Sequence, residues 1–177
     1  LIDIKDRGLK HEISSNLELL RLLDIISDDE SLSIRTDETS IKALIAPLMM
    51  KESDILIGLH PWTSDAVKAW PLSHFQTLAR NLITQPNVKV LILGGPQEAV
   101  QGSQAFPNSD NLLNLTGKTS LTQLAAVIGR CAVLVSSDSG PVHVAACTKT
   151  PTIAIFRNDL NGKTALRWGP KAPGSVI

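Results

Sequence analysis

From residue 55 onward, short apolar runs alternate with segments of helical periodicity, and this alternation constrains the fold more than any other feature of the sequence. Runs that are apolar on both sides are typical of strands buried within a parallel sheet. Five such runs are predicted to be strands, at residues 55–59, 88–93, 112–115, 132–135 and 152–156. Because parallel strands need crossover connections, the order predicts an α/β fold with a mostly parallel sheet that is covered on both faces.

The segments between these runs carry helix signals. One helix opens near Pro71, a second spans Gln97–Ala105, a third is capped by Ser120, and a fourth spans Gly140–Cys147. In sheets of this kind, ligands bind beyond the carboxyl ends of the strands. Functional residues are therefore expected in the loops after the first, second and fourth strands.

The first 52 residues differ from the rest of the sequence. They predict a helix at Ser15–Leu23, a short strand at Ser31–Arg35, and a helix that Asp37 caps and that runs towards Met49, with Pro47 disturbing its end. We interpret residues 1–52 as a connecting helical segment packed on a main domain of residues 53–177.

Charge and cysteine content exclude several classes of protein. Seventeen basic residues offset seventeen acidic ones, so no overall field favours nucleic acid. Cys131 and Cys147 fit neither a disulfide framework nor a zinc motif, and both are expected to be reduced core thiols of a cytoplasmic protein.

The sequence has no secretion signal and no apolar stretch near the ~20 residues that span a bilayer. Its two ends suggest a fragment of a longer protein.

The loop after the fourth strand combines an acid, a hydroxyl and a glycine at the start of a helix. Ser139 and Gly140 fall where free amides and the helix dipole favour an anion, and Pro141 suits the first helical turn. Alternatively, Asp138 or Ser139 is only a helix cap. His143 lies one turn further on and is either a ligand contact or a packing residue.

The loop after the first strand offers two hydroxyls and a cation. Thr63 and Ser64 can donate to phosphate oxygens, and Lys68 can neutralise a diphosphate, although a solvated surface lysine is the common alternative. His60 and Trp70 are interpreted as packing residues.

The loop after the second strand ends in a carboxylate. Glu98 is placed to accept the hydroxyls of a ribose, but a glutamate near a helix start is also a favourable partner of the helix dipole.

Together these loops resemble the bacterial lipopolysaccharide heptosyltransferases of glycosyltransferase family nine. That family carries H-P-(small)-(T/S), K-x-W-P, G-G-P-x-E and D-(S/T)-G-x-x-H-x-A-A in this order, followed by a proline-led strand. The matching residues here are His60-Pro61, Thr63-Ser64, Lys68-Ala69-Trp70-Pro71, Gly94-Gly95-Pro96-Gln97-Glu98, Asp138-Ser139-Gly140-Pro141-Val142-His143-Val144-Ala145-Ala146 and Pro151. Four motifs in register over about residues 55–156 are a specific signal.

The resemblance implies the C-terminal donor-binding domain of a two-domain GT-B glycosyltransferase, a Rossmann-like doubly wound parallel sheet. It further implies an inverting, metal-independent enzyme without a cofactor that takes ADP-heptose as donor and transfers heptose to the lipopolysaccharide inner core. The acceptor and the catalytic base would belong to the preceding half, which would also make any contact with the inner membrane. No Asp-x-Asp metal signature occurs in the sequence.

The resemblance also assigns roles to individual residues. In the family, the residues that correspond to Thr63, Ser64 and Lys68 hold the phosphates of the donor. The residue that corresponds to Glu98 holds its ribose. The helix start at 139–141 meets the diphosphate, with Lys68 also able to stabilise the leaving group. The remaining expected contacts are Asp138 and His143 on the sugar side and Leu115-Thr116-Gly117 on the adenine side.

One departure from the family pattern bears on the sugar. The family follows its last strand with F-G-P-T-(D/S)-P, whereas Phe156 here leads into residues 157–162, and Arg167-Trp168-Gly169-Pro170 restores part of the likeness.

Other functions fit less well. The first strand is not followed by G-x-G-x-x-G, which disfavours a nicotinamide dehydrogenase, and no G-x-S-x-G elbow indicates a serine hydrolase. The alternative that stays open is a non-catalytic nucleotide-binding or interaction module that has kept the fold.

Overall fold

The computed structural model describes residues 10–157 and 164–177, and a five-stranded sheet forms the centre of this part of the chain. Every pair of neighbouring strands is parallel. The strands are β1 (Ile55–His60), β2 (Val88–Ile92), β3 (Leu112–Asn114), β4 (Val133–Ser137) and β5 (Thr152–Ile155). Their spatial order is β3-β2-β1-β4-β5, which confirms the predicted α/β fold with its Rossmann-like parallel sheet.

Helices connect the strands at the predicted places, as α3 (Leu72–Ile83), α4 (Ala99–Ala105), α5 (Leu121–Gly129) and α6 (Gly140–Thr148). The helices α1 (Glu12–Leu20) and α2 (Glu38–Ile45) precede β1, and α7 (Ala165–Trp168), which was not predicted, follows β5. Two predicted caps are confirmed, because Asp37 accepts a hydrogen bond from the amide of Ser40 and Ser120 forms a capping box with Gln123. Single 3₁₀ turns extend α1 to Leu23 and α2 to Leu48.

Both faces of the sheet are covered, because successive side chains of a strand point to opposite faces. On one face, Leu91 of β2 packs in a core that includes residues of α2 and α5. On the other face, its neighbours Val90 and Ile92 pack against Phe75 of α3. The centre of the sheet is crowded, since a Cβ atom at Gly58 would lie 3.2 Å from both Cys131 and Leu134.

The N-terminal segment adds to the first of these cores. Ile41 and Leu48 are almost fully buried in it, and the amide of Asp37 donates to the carbonyl of Thr122 on α5 at 3.1 Å. The division between residues 1–52 and 53–177 stays a prediction.

Two sequence-based predictions are wrong. Residues Ser31–Arg35 form no strand: Leu32 and Ile34 alternate with exposed neighbours, but no strand among the described residues lies alongside to form a ladder. Cys147 is not a core thiol, since it lies in the last turn of α6 and is partly exposed, whereas Cys131 is buried as expected. The segment 158–162, at which the sequence departs from the family pattern, lies outside the described residues.

The strand order defines a place for a ligand. The chain moves from β1 to β2 and β3 on one side of the sheet, and then continues as β4 and β5 on the other side of β1. The crevice beyond the carboxyl ends of β1 and β4 is therefore a topological switch point, where open α/β sheets bind ligands.

Candidate functional site

The loop that follows β1 is held against the end of β4. The Thr63 hydroxyl donates to the carbonyl oxygen of Asp138 at 3.2 Å, and the amide of Trp70 donates to the Ser137 hydroxyl at 3.4 Å. Within the loop, the Asp65 carboxylate accepts from the amide of Val67 at 3.1 Å and starts the 3₁₀ turn that carries the lysine. These contacts bring the first and fourth loops together, as their positions in the sequence predicted.

Lys68 and Asp138 form an ion pair at this edge of the sheet. The lysine Nζ lies 2.5 Å from Oδ2 of the aspartate, and the two side chains are only 19% and 9% exposed. Lys68 is therefore not a solvated surface lysine, and its cation stands between the β1 loop and the start of α6.

A second polar cluster lies under the helix start. The Ser139 hydroxyl is 3.1 Å from Nδ1 of His60 and 3.2 Å from the Ser136 hydroxyl, and it also reaches the Ser137 carbonyl at 3.0 Å. Burial lowers the pKa of His60 to about 4, so the imidazole is neutral at pH 7, and its tautomer decides whether Nδ1 donates to the serine hydroxyls or accepts from them. The cluster fixes the backbone that leads into α6.

The helix start is open to solvent at its glycine. Ser139 occupies the N-cap position, but its side chain accepts no hydrogen bond from the first turn, and the same holds for Asp138 in the part of the chain that is described. A Cβ atom at Gly140 would meet nothing within 4 Å, and Pro141 follows in the first turn, where its missing N–H costs nothing. An anion can therefore approach the first-turn backbone closely.

His143 lies one turn into α6 and is half-buried. Burial is the main cause that lowers its pKa, while the nearby Asp138 acts in the opposite direction. The imidazole packs edge-on against Trp168 with 6.3 Å between ring centroids, and the Arg167 guanidinium lies 5.0 Å from the centroid of the same indole. The α7 segment thus lies beside the position expected to face the sugar.

The loops after β2 and β3 lie on the other side of β1. Glu98 is half-buried at the end of a 3₁₀ turn, and its carboxylate folds back over Gly95. Gly117 has φ +74° and its amide donates to the carbonyl of Gly94 at 2.9 Å. No hydrogen bond in the described residues joins Glu98 to Lys68 or Asp138, so the structure places it on the same sheet edge but apart from the ion pair.

Sequence reasoning missed several participants in the site. Ser136 and Ser137 end β4 with buried hydroxyls, and Nδ1 of His60, interpreted from the sequence as a packing residue, lies within hydrogen-bonding distance of the Ser136 and Ser139 hydroxyls. The signal for this cluster was a polar Ser-Ser-Asp-Ser run directly after an apolar strand. Ser64, predicted as a phosphate contact, is exposed, and the structure shows no hydrogen bond for it within the described ranges. Arg157 donates from Nη1 to the carbonyl of Val67 at 3.1 Å and thereby ties the end of β5 to the lysine loop.

No helix in residues 10–157 and 164–177 is long and apolar enough to cross a membrane. The same residues contain no group of three or more His, Cys, Asp or Glu side chains that could hold a metal ion.

Known proteins resemble this chain in sequence. The family described as "Glycosyltransferase family 9 (heptosyltransferase)" matches residues 3–175. Lipooligosaccharide heptosyltransferase 2 of Haemophilus influenzae is 36% identical over 121 residues, covering 65% of this chain and 33% of that protein. The protein of the same name from Campylobacter jejuni is 28% identical over 156 residues, which cover 83% of this chain and 48% of the Campylobacter protein. The chain thus spans a third to a half of the length of these relatives.

Solved structures resemble it in fold. The glycosyl transferase family 9 structure from Veillonella parvula superposes with a TM-score of 0.82 at 24% identity, covering 97% of this chain and 50% of that one. ADP-heptose lipopolysaccharide heptosyltransferase II of E. coli superposes with a TM-score of 0.67 at 23% identity, covering 81% and 44%. These likenesses confirm the Rossmann-like fold. Because the family match extends over nearly the whole sequence, the chain belongs to glycosyltransferase family 9, the heptosyltransferases.

Proposed function

We propose that this chain binds the diphosphate of a nucleotide-sugar donor, ADP-heptose, as the donor-binding half of a glycosyltransferase of lipopolysaccharide inner-core synthesis. The proposal rests chiefly on the meeting of Lys68 with the open start of α6 at the topological switch point. A cation and a set of backbone amides at one point provide what a diphosphate requires. Family membership and the names of the relatives supply the donor and the acceptor class.

The site residues would divide between the parts of the donor. Lys68, Ser64 and the amides at Ser139 and Gly140 would hold the phosphates, with Pro141 shaping the first turn. Thr63 already donates its hydroxyl proton to the Asp138 carbonyl. It would therefore contribute to phosphate binding indirectly, by holding the loops after β1 and β4 together. Glu98 would accept the ribose hydroxyls, beside an adenine wall at residues 115–117.

On the sugar side, Asp138 and His143 would face the transferred group. His143 lies one turn into α6 on the side where α7 packs, because its ring contacts Trp168, and Asp138 directly precedes the N-cap of the same helix.

The chemistry would be an inverting transfer that needs no metal. An acceptor hydroxyl attacks the anomeric carbon, the bond to the diphosphate oxygen breaks, and ADP leaves with both electrons of that bond. Negative charge grows on the diphosphate as it leaves, and the Lys68 ammonium and the α6 amides would stabilise that charge. The base that removes the acceptor proton would lie in the acceptor-binding half, so this chain would bind donor without turning it over.

Calorimetric titration tests the proposal. We expect the folded chain to bind ADP and ADP-heptose more tightly than UDP or NAD, with binding weakened at least tenfold by Lys68→Ala and also by Glu98→Ala. Lys42→Ala is the matched control, since Lys42 is exposed on α2. Tighter binding of UDP would still support a glycosyltransferase but would contradict ADP-heptose as the donor. If the folded chain bound no nucleotide, the result would favour an interaction module that has kept the fold.

A further inference from the structure

Lys68 already has an anionic partner before any donor binds. Its Nζ lies 2.5 Å from Oδ2 of Asp138, and both side chains are mostly buried. In the part of the chain that the structure describes, neither residue forms another salt bridge, so each is the other's counter-ion. A pair so shielded from water is screened far less by salt than a pair on the surface.

The backbone prevents the aspartate from moving far from the site. Its carbonyl accepts the Thr63 hydroxyl at 3.2 Å, its amide donates to the carbonyl of Ile155 at 3.2 Å, and the next residue is the N-cap of α6. A diphosphate that arrives at the helix start therefore meets a lysine whose nearest anion stays in place. Two anions then compete for one ammonium group.

We propose that Asp138 is an internal competitor for Lys68, which lowers the affinity of the site for the diphosphate and speeds the release of ADP after transfer. This inference rests on the proposed function, because it takes Lys68 as the phosphate ligand. It assigns the aspartate a role that its expected position facing the sugar does not require. The role suits an enzyme cycle, because the same diphosphate that must be held during transfer must leave afterwards.

The direction in which Asp138→Asn changes the affinity for ADP distinguishes competition from simple positioning of Lys68. If Asp138 only oriented Lys68 towards the phosphates, Asp138→Asn would weaken ADP binding. If it competes, Asp138→Asn removes the competing charge, and ADP binds more tightly. We expect the dissociation constant for ADP to fall about tenfold, which corresponds to about 1.4 kcal/mol, and the dissociation rate of ADP to fall by a similar factor.

A double-mutant cycle separates competition from direct repulsion between the carboxylate and the phosphates. Repulsion acts whether or not the lysine is present, whereas competition needs it. We therefore expect Asp138→Asn to tighten ADP binding more in the wild-type background than in Lys68→Met. Equal tightening in the two backgrounds, or weaker binding in Asp138→Asn, would overturn the inference.

A measurement on the wild-type chain avoids any effect of the substitution on folding. The NMR signal of the Lys68 ammonium should shift when ADP saturates the chain, because the ammonium exchanges its carboxylate partner for phosphate oxygens. An unchanged signal with ADP bound would overturn the inference and leave the binding of nucleotide intact. Failure of the folded wild-type chain to bind ADP at all would overturn the proposed function together with it.

Discussion

The hydroxyl of Ser139 lies 3.1 Å from Nδ1 of His60, across 79 residues of sequence, and this contact joins the end of β1 to the start of α6. The histidine is buried, and burial favours its neutral form by lowering its pKa. Protonation in acid would place a buried charge under the start of the helix, which makes the fold sensitive to acid.

We expect this histidine to destabilise the protein as the pH falls. Unfolded His60 takes up a proton near its ordinary pKa of 6.5, whereas burial lowers the pKa in the folded state to about 4. Its contribution to stability is thus complete above about pH 6.5 and is lost progressively down to about pH 4, by about 3 kcal/mol in total. Urea unfolding of wild type and His60→Asn at about pH 7 and about pH 4.5 measures the effect.

The comparison between variants isolates His60 from other acid-sensitive groups. Hydrogen bonds lower the pKa of Asp37, so its carboxylate also loses stabilisation in acid, but it does so equally in both proteins. His60→Asn should therefore be less stable than wild type at pH 7 and lose less stability in acid. His74→Asn, at an exposed histidine, should keep the wild-type pH dependence. The same dependence in His60→Asn as in wild type would contradict the prediction.

Gly94 is required because of the indole that lies against it. A Cβ atom at this position would lie 2.5 Å from Nε1 of Trp62 and 2.9 Å from Cγ2 of Thr116, and both of these residues are buried. We expect Gly94→Ala to lower the free energy of unfolding by about 1–3 kcal/mol, as overpacking of a core does. Chemical denaturation measures it.

Gly129→Ala is the matched control for Gly94→Ala. Its added Cβ would find its nearest neighbour at 3.6 Å, an ordinary contact, and the residue ends a helix. This variant should be as stable as wild type or slightly more stable, because alanine is the better helix former. Equal losses in the two variants would show that the indole is not the cause.

The sheet could be predicted from the sequence because its signals are local. Strands buried on both faces are short apolar runs, and all five were placed within two residues of the observed bounds. The helices after Asp37 and Ser120 were found by their caps, which also act within one turn. Residues 31–35 show the limit of such signals, because alternating polarity predicts an extended chain but cannot supply the neighbouring strand that a ladder needs.

The site could be predicted only in part, because its decisive contacts join residues far apart in the sequence. The sequence placed Lys68 and Asp138 in neighbouring loops but could not show that they form an ion pair. The Ser-Ser-Asp-Ser run indicated a polar cluster, but the sequence could not show that His60 would lie under Ser139 or that His143 would pack on Trp168. Such pairings depend on strand order and loop geometry, which local periodicity does not determine.

Gly140 offers a test of the diphosphate site that is separate from charge. Because nothing lies within 4 Å of its added Cβ, Gly140→Ala should fold with wild-type stability. The methyl group would stand at the helix start where we propose that the phosphates approach, so ADP affinity should fall about tenfold or more. Calorimetric titration of this variant beside Gly129→Ala checks it, and unchanged affinity in Gly140→Ala would place the phosphates elsewhere.

The two ends of the described chain are tied together by an ion pair that should contribute measurably to stability. Arg167 Nε of α7 lies 2.6 Å from Glu12 Oε2 of α1, with side chains 18% and 26% exposed. The guanidinium also lies over the Trp168 indole, so its geometry is restrained before the pair forms. We expect a coupling energy of about 1 kcal/mol from a double-mutant cycle with Glu12→Gln and Arg167→Met in urea unfolding.

A second, more exposed ion pair in the same chain serves as the control for that double-mutant cycle. Arg130 and Glu38 form a pair at 3.1 Å whose side chains are 59% and 52% exposed. Solvent and salt screen such a pair, so its coupling energy should be no more than about 0.5 kcal/mol and should vanish in high salt. If the Glu12–Arg167 cycle gave no more coupling than this exposed pair, then the ion pair would not hold α7, and the position of Trp168 beside His143 would depend on other contacts, such as that between His11 and the Gly169 carbonyl.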